Sequence, residues 1–251
     1  MELKKTQVGV VSYRNTAPLV YGMQEPAFAA THNIISDYPA RIAAALQQGE
    51  VDVALVPVAV LATLPQYYIV SNYCIGADGD VASVALFSEV PVAQLEAVYL
   101  DYQSRSSVAL FRILMQHLWK INPRLLQAED DSYRTRISGT TGAVVIGDRA
   151  LEQRHQSSYV YDLAGAWKQL TDLPFVFAVW VSLKPMPDAW QRQFDAAQAV
   201  GLGKLQEIAQ AQNYAPFDLH KYYTQYLQYK LTNHMRSGIN RFLEYLQHAE
   251  E

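Results

Sequence analysis

Short apolar runs separated by polar turns recur along this chain, and most have the length of a strand. Val8–Val11 reads as a first buried strand, followed by the polar turn Ser12-Tyr13-Arg14-Asn15-Thr16. Pro18 then suits the first turn of a helix, where its missing N–H costs nothing. Asn33–Ile35 predicts a short strand. Tyr38 to Leu46 predicts a helix with Pro39 in its first turn and Gly49 just past its end. Val51–Val56 is the next strand, stopped by Pro57, with one or two helical turns to Leu64. Strands alternating with helices argue for parallel pairing through helical crossovers. Two short runs follow at 67–70 and 73–76, then the apolar run 81–87, broken only by Ser83.

A second set of the same kind begins at Val98. The extended run Val98–Asp101 leads into Gln103-Ser104-Arg105-Ser106-Ser107 and a predicted helix over 105–119, with Ser104 as its N-cap. Ala143–Ile146 is another strand, ending at Gly147-Asp148. The run 175–181 is apolar on both faces, as a strand in mid-sheet would be, and from Asp188 onward the pattern is helical. There Leu219, Tyr222, Tyr223, Tyr226 and Leu227 recur at helical spacing, which core packing explains without a cofactor. The strands 81–87 and 175–181 bracket the second set and predict a hinge. The expected division is lobe I from 1–87 and 182–251 and lobe II from 88–181, each a mostly parallel sheet flanked by helices. A ligand cleft is expected between them.

Composition narrows the partners. Half of the 251 residues are hydrophobic and 18% are charged, a globular balance. A net charge of −4 leaves no basic footprint for nucleic acid, and the single cysteine excludes an internal disulfide framework. The apolar stretch after Gln7 is too short for a signal peptide, and no run is long enough to cross a bilayer. The expectation is a cytoplasmic protein with no membrane partner. The loop Ala77-Asp78-Gly79-Asp80 has its glycine in the wrong place for a calcium loop, and no metal is expected.

Candidate chemistry gathers where predicted strands end in polar turns. Ser104, Ser106 and Ser107 open a helix, so their hydroxyls and amide N–H groups offer a seat for a carboxylate or phosphate. Asn15 either caps its turn or holds a ligand hydroxyl or carboxylate, and Ser12 precedes it. Ser83, inside an apolar strand, needs a partner in backbone or ligand. Gly147 lets a ligand approach the backbone; Asp148 is a base or the N-cap of the next helix. Arg105 either faces the ligand or lies on the polar stripe it shares with Arg112 and Gln116.

Several motifs in register carry a resemblance. They are Ser12-Tyr13-x-Asn15-x-x-Pro18-Leu19, Gly49-x-Val-Asp52-Val, and Ile75-Gly76-x-Asp78-Gly79-x-Val-x-Ser83. Ser104-Arg105-x-Ser107-Val108, Ile146-Gly147-Asp148, Tyr161-Asp162-Leu163 and Trp167 through Phe177-Ala178 continue it. Together they resemble the chorismate dehydratases of the futalosine route to menaquinone, over nearly the whole chain. The resemblance implies a two-lobed fold of the type 2 periplasmic-binding-protein class. The implied activity is a hydro-lyase converting chorismate to 3-[(1-carboxyvinyl)oxy]benzoate and water, with no cofactor. Arg14 stands where an apolar residue is expected. On this reading Ser104, Ser106 and Ser107 hold one carboxylate, Ser83 the other, and Asn15 orients the enolpyruvyl group or leaving hydroxyl. The proton acceptor is Asp148 or the substrate's own carboxylate. The alternatives are a non-catalytic small-anion binding protein of this fold and the related dihydroxynaphthoate synthase.

Overall fold

The computed structural model describes residues 5–248. Its first sheet is built on β1 (Thr6–Val11), flanked in parallel by β2 (His32–Asp37) and β3 (Val53–Pro57). Val8, Val53 and Leu55 are fully buried there. The helix Pro39–Gln48 makes the crossover, with its proline in the first turn. It stops at Gly49, whose φ of +73° is a left-handed conformation that glycine adopts without steric cost. Ile42 and Leu46 bury one face of this helix.

The chain then runs through β4 (Tyr68–Ala77) before entering a second sheet as β5 (Val84–Ser88). That sheet adds β6 (Ala97–Leu100), β7 (Arg124–Gln127), β8 (Thr141–Ile146) and β9 (Tyr159–Asp162), in the order β7-β6-β8-β5-β9. The chain returns to the first sheet as β10 (Phe175–Ser182) and closes it with β11 (Gln228–Lys230), giving β11-β4-β10-β3-β1-β2. Long helices, Asp188–Leu202 and Asn233–His248 among them, flank the sheets. The expected two-lobed α/β architecture is therefore present.

Four details differ from expectation. The sheets are mixed: β10 runs antiparallel to β3 and β4, β11 to β4, and β5 to β8 and β9. Each time the chain changes sheet it pairs antiparallel with the strands it joins. The apolar strands sit one sheet over from the predicted division, β5 in the second and β10 in the first. The crossings fall in the loop after Ala77 and around the helix Leu163–Thr171. The runs at 67–70 and 73–76 are one strand, β4, with shifts in its register against β10 absorbing the change of face. The tail expected to be wholly helical contains β11, preceded by a π-turn at Tyr222–Tyr226. No helix among the described residues is long and apolar enough to cross a membrane.

Candidate functional site

A narrow cavity lies between the sheets, walled from the first by Val11, Tyr13, Asn15, Ile75 and Phe177. The second contributes Ser83, Ser104, Ser106, Ser107, Ile146 and Gly147. Its volume is about 70 Å³, on a scale where one water takes roughly 10–15 Å³. Its lining contains aliphatic and aromatic groups, hydroxyls and one amide, and among the described residues no charged side chain.

The second-lobe wall is organised by a helix start. Ser104 is the N-cap of Arg105–Leu114: its Oγ accepts the Ser107 N–H at 3.1 Å and donates to the Ser107 Oγ at 2.9 Å. Ser106 and Ser107 are each only 1% exposed. The Ser106 Oγ accepts the Ala59 N–H at 3.0 Å, a bond across the cleft. Beneath this loop, buried Asp101 accepts the Gln103 N–H at 2.8 Å and the Tyr133 hydroxyl at 2.6 Å, and pairs with Arg149 Nη2 at 3.0 Å. Arg149 also donates to Gln103 Oε1 at 3.0 Å. The same oxygen accepts the Tyr13 hydroxyl at 2.8 Å, which ties the lobes together. Burial, and then the Asp101 charge, push the Tyr13 phenol up, so it stays protonated and donates.

Ser83 is presented by a strained approach to β5. Ala82 has φ +65°, a left-handed value uncommon outside glycine. Asp162 holds it there, accepting the Val81 N–H at 3.0 Å and the Ala82 N–H at 2.7 Å, while Arg154 donates to the Ala82 carbonyl at 2.9 Å. The same carboxylate caps the helix Leu163–Thr171. Burial pushes Asp162 up to about 6, partly offset by the amide bonds it accepts. Gly147, with φ +64°, lies against Tyr13; an added Cβ would sit 3.3 Å from that ring.

The first-lobe wall is the turn after β1. Tyr229 donates to the Asn15 carbonyl and Tyr223 to the Arg14 carbonyl, each at 3.0 Å. The Tyr222 hydroxyl donates to the Ser83 Oγ at 2.7 Å. Arg14 points out of the cavity: its Nε is 3.3 Å from Asp148 Oδ2, Nη1 donates to Gln212 Oε1 at 2.9 Å, and its guanidinium lies 4.1 Å from the Tyr214 ring centroid. Burial pushes Tyr214 up to about 12.

A family model described as menaquinone biosynthesis matches residues 6–248. The chain belongs to the menaquinone-biosynthesis family. A chorismate dehydratase of Thermus thermophilus is 30% identical over 263 aligned residues, covering 95% of this chain and 94% of that protein. Among solved structures, a protein of Archaeoglobus fulgidus superposes with a TM-score of 0.73 at 12% identity, covering 98% of both chains. The periplasmic aliphatic sulphonate binding protein of Escherichia coli superposes with a TM-score of 0.65 at 14% identity, covering 98% of this chain and 93% of that one. At these identities the structures show the fold alone: this family member has the two-lobed periplasmic-binding-protein-like architecture.

Within that frame the cavity brings together Asn15, Ser83, Ser104, Ser106, Ser107 and Gly147. It does not bring in the other three predicted residues. Ser12 is exposed and shares a hydrogen bond with Ser36 at 2.7 Å, because strand alternation turns it away from Val11 and Tyr13. Arg105, at the first helical position, is exposed and lines an outer groove with Tyr102 and Ala44. Asp148 is neither the cap nor part of the lining: Gly147 is the N-cap and the carboxylate turns to Arg14. Burial raises its pKa and Arg14 draws it back. Asp131 is a second partner of Arg149, at 2.6 Å.

Tyr13, Tyr222 and the Asp101–Arg149 pair were not singled out as site residues. Tyr13 lies inside the first motif, so its position carried a signal. Tyr222 was hidden by its helical spacing among other aromatic residues, which looks the same whether a phenol packs or donates.

Proposed function

We propose that this chain is a chorismate dehydratase, converting chorismate to 3-[(1-carboxyvinyl)oxy]benzoate and water. The reading is carried by one observation about the cavity: neutral donors from both lobes converge on it. The full-length likeness to the Thermus enzyme supports it. Chorismate carries two carboxylates and a ring hydroxyl, and hydrogen-bond donors with a helix N-terminus hold such anions without a full counter-charge.

Ser104, Ser106 and Ser107, with the first free amides of their helix, take one carboxylate. Ser83 takes the other, and Asn15 orients the enolpyruvyl group or the departing hydroxyl. The ring carbon bearing the ether loses its proton, and the neighbouring C–O bond breaks. The hydroxide leaves as water after taking up a proton, and the ring becomes aromatic. Carbon is neither oxidised nor reduced overall, so the elimination needs no redox partner. With Asp148 engaged by Arg14, the substrate's enolpyruvyl carboxylate is the proton acceptor, and the protein's part is to fix the pose and stabilise developing charge.

The test is purified protein with chorismate alone, followed by ultraviolet absorbance and mass spectrometry. The expected product is lighter by one water and retains the enolpyruvyl group. Unchanged chorismate that nevertheless raises the melting temperature would favour a binding protein instead. Unchanged chorismate with no thermal shift would remove chorismate as the ligand.

A further inference from the structure

Tyr222 is buried to 1% exposure, comes from a segment more than a hundred residues away from Ser83, and donates its hydroxyl to that serine at 2.7 Å. The bond has a direction. The Tyr222 hydroxyl donates and Ser83 Oγ accepts; burial pushes the phenol up, with hydrogen bonds to Ser83 and Asn15 only partly offsetting this, so it keeps the proton it donates. Ser83 Oγ is then the acceptor, and its own proton must go elsewhere. The serine backbone cannot swing to find another partner. Its carbonyl accepts the Gly147 N–H at 2.7 Å, and the two amides before it are clamped by Asp162. Among the described residues no protein acceptor takes the Ser83 proton, and the side chain lines the cavity.

We infer that Tyr222 is a positioning residue: by donating to Ser83 Oγ it aims the serine O–H into the cavity, at an oxygen of the bound ligand. Donation into the serine also polarises its outgoing O–H, because hydrogen bonds in a chain strengthen one another. Without the phenol the Ser83 hydroxyl rotates freely and can turn its lone pair toward the ligand, where an anionic oxygen is repelled. The ligand's identity rests on the dehydratase reading; the aiming requires only an anionic or departing oxygen at Ser83.

A double-mutant cycle on Tyr222→Phe and Ser83→Ala tests this, since phenylalanine keeps the buried ring and its packing. With chorismate, Tyr222→Phe is expected to lower kcat/KM roughly five- to tenfold when Ser83 is present. It should do almost nothing further in the Ser83→Ala background. Equal losses in both backgrounds, or no loss with Ser83 present, would overturn the inference, because a merely structural phenol acts whether or not the serine is there. If wild-type protein leaves chorismate unchanged, the dehydratase reading fails by itself. The same four proteins titrated calorimetrically with sodium benzoate then decide the question. A loss of affinity on Tyr222→Phe that vanishes without Ser83 supports aiming. Independent losses, no loss, or no benzoate binding to the wild type overturn it.

Discussion

The turn Tyr13–Thr16 and the start of the helix Arg105–Leu114 face each other across the cavity and are held by opposite means. The helix start is largely self-sufficient. Ser104 caps it three residues from the amide it satisfies, and Asp101, Gln103 and Arg149 steady the loop from within the same lobe. The turn has no side-chain cap of its own. It depends on phenols that arrive some two hundred residues later, Tyr223 on the Arg14 carbonyl and Tyr229 on the Asn15 carbonyl. One wall is made by local capping and the other by the tail closing over it. The capped wall should therefore depend little on the tail, while the propped wall depends on how the tail packs.

The largest expected effect breaks the wiring of the capped wall. Arg149→Met leaves Asp101, whose side chain is fully buried, without its cation, at an expected cost of about 3–5 kcal/mol in urea unfolding. A cost below about 1 kcal/mol would mean that neutral hydrogen bonds alone hold that carboxylate. The next effect concerns pH. Asp162 has a folded pKa of about 6, against about 3.9 in an unfolded chain. Its neutral form is favoured by folding, so the stabilisation is full below the unfolded value and is lost as pH rises through about 6. Melting temperatures between pH 4 and 7 should show wild type losing stability relative to Asp162→Asn across that window; parallel curves would remove the assignment.

The propped wall is tested by Tyr229→Phe, which strips the Asn15 carbonyl of its buried donor. A loss of about 1–3 kcal/mol is expected, with a raised KM for chorismate, because Asn15 shifts with its backbone. An unchanged KM would mean that the turn holds itself. Ser104→Ala removes the cap and should cost about 1 kcal/mol, seen as a lowered urea midpoint with an unchanged slope. The smallest effect lies between the walls. Arg14 and Asp148 are each about a third exposed, so Asp148→Asn should cost under about 1 kcal/mol and leave kcat close to wild type. A collapse of kcat would make Asp148 the base after all.

Several features of the fold were legible because their causes are local. Pro39 and Gly49 mark the two ends of one helix, Ser104 announces another, and the apolar runs locate most of the strands. Ser83 in an apolar run, and the serines at a helix start, line the cavity. Other features depended on distance. Asp148 carries the same side chain whether it faces a ligand or Arg14, and only the approach of the β1 turn settles which. Asp101 looked like the last residue of a strand, while its partners Arg149 and Tyr133 lie over thirty residues away.

What the amino-acid sequence determined unaided was the succession of strands and helices, the capped helix start and the serines that gather at the cleft. These follow from backbone sterics, capping and the burial of apolar runs, which act over a few neighbouring residues. The tertiary structure alone decided the direction of β5 and β10, the pairing of Arg14 with Asp148 and the use of Tyr222 on Ser83. Those outcomes rest on contacts whose partners are far apart in the chain, so no local pattern of residues specifies them.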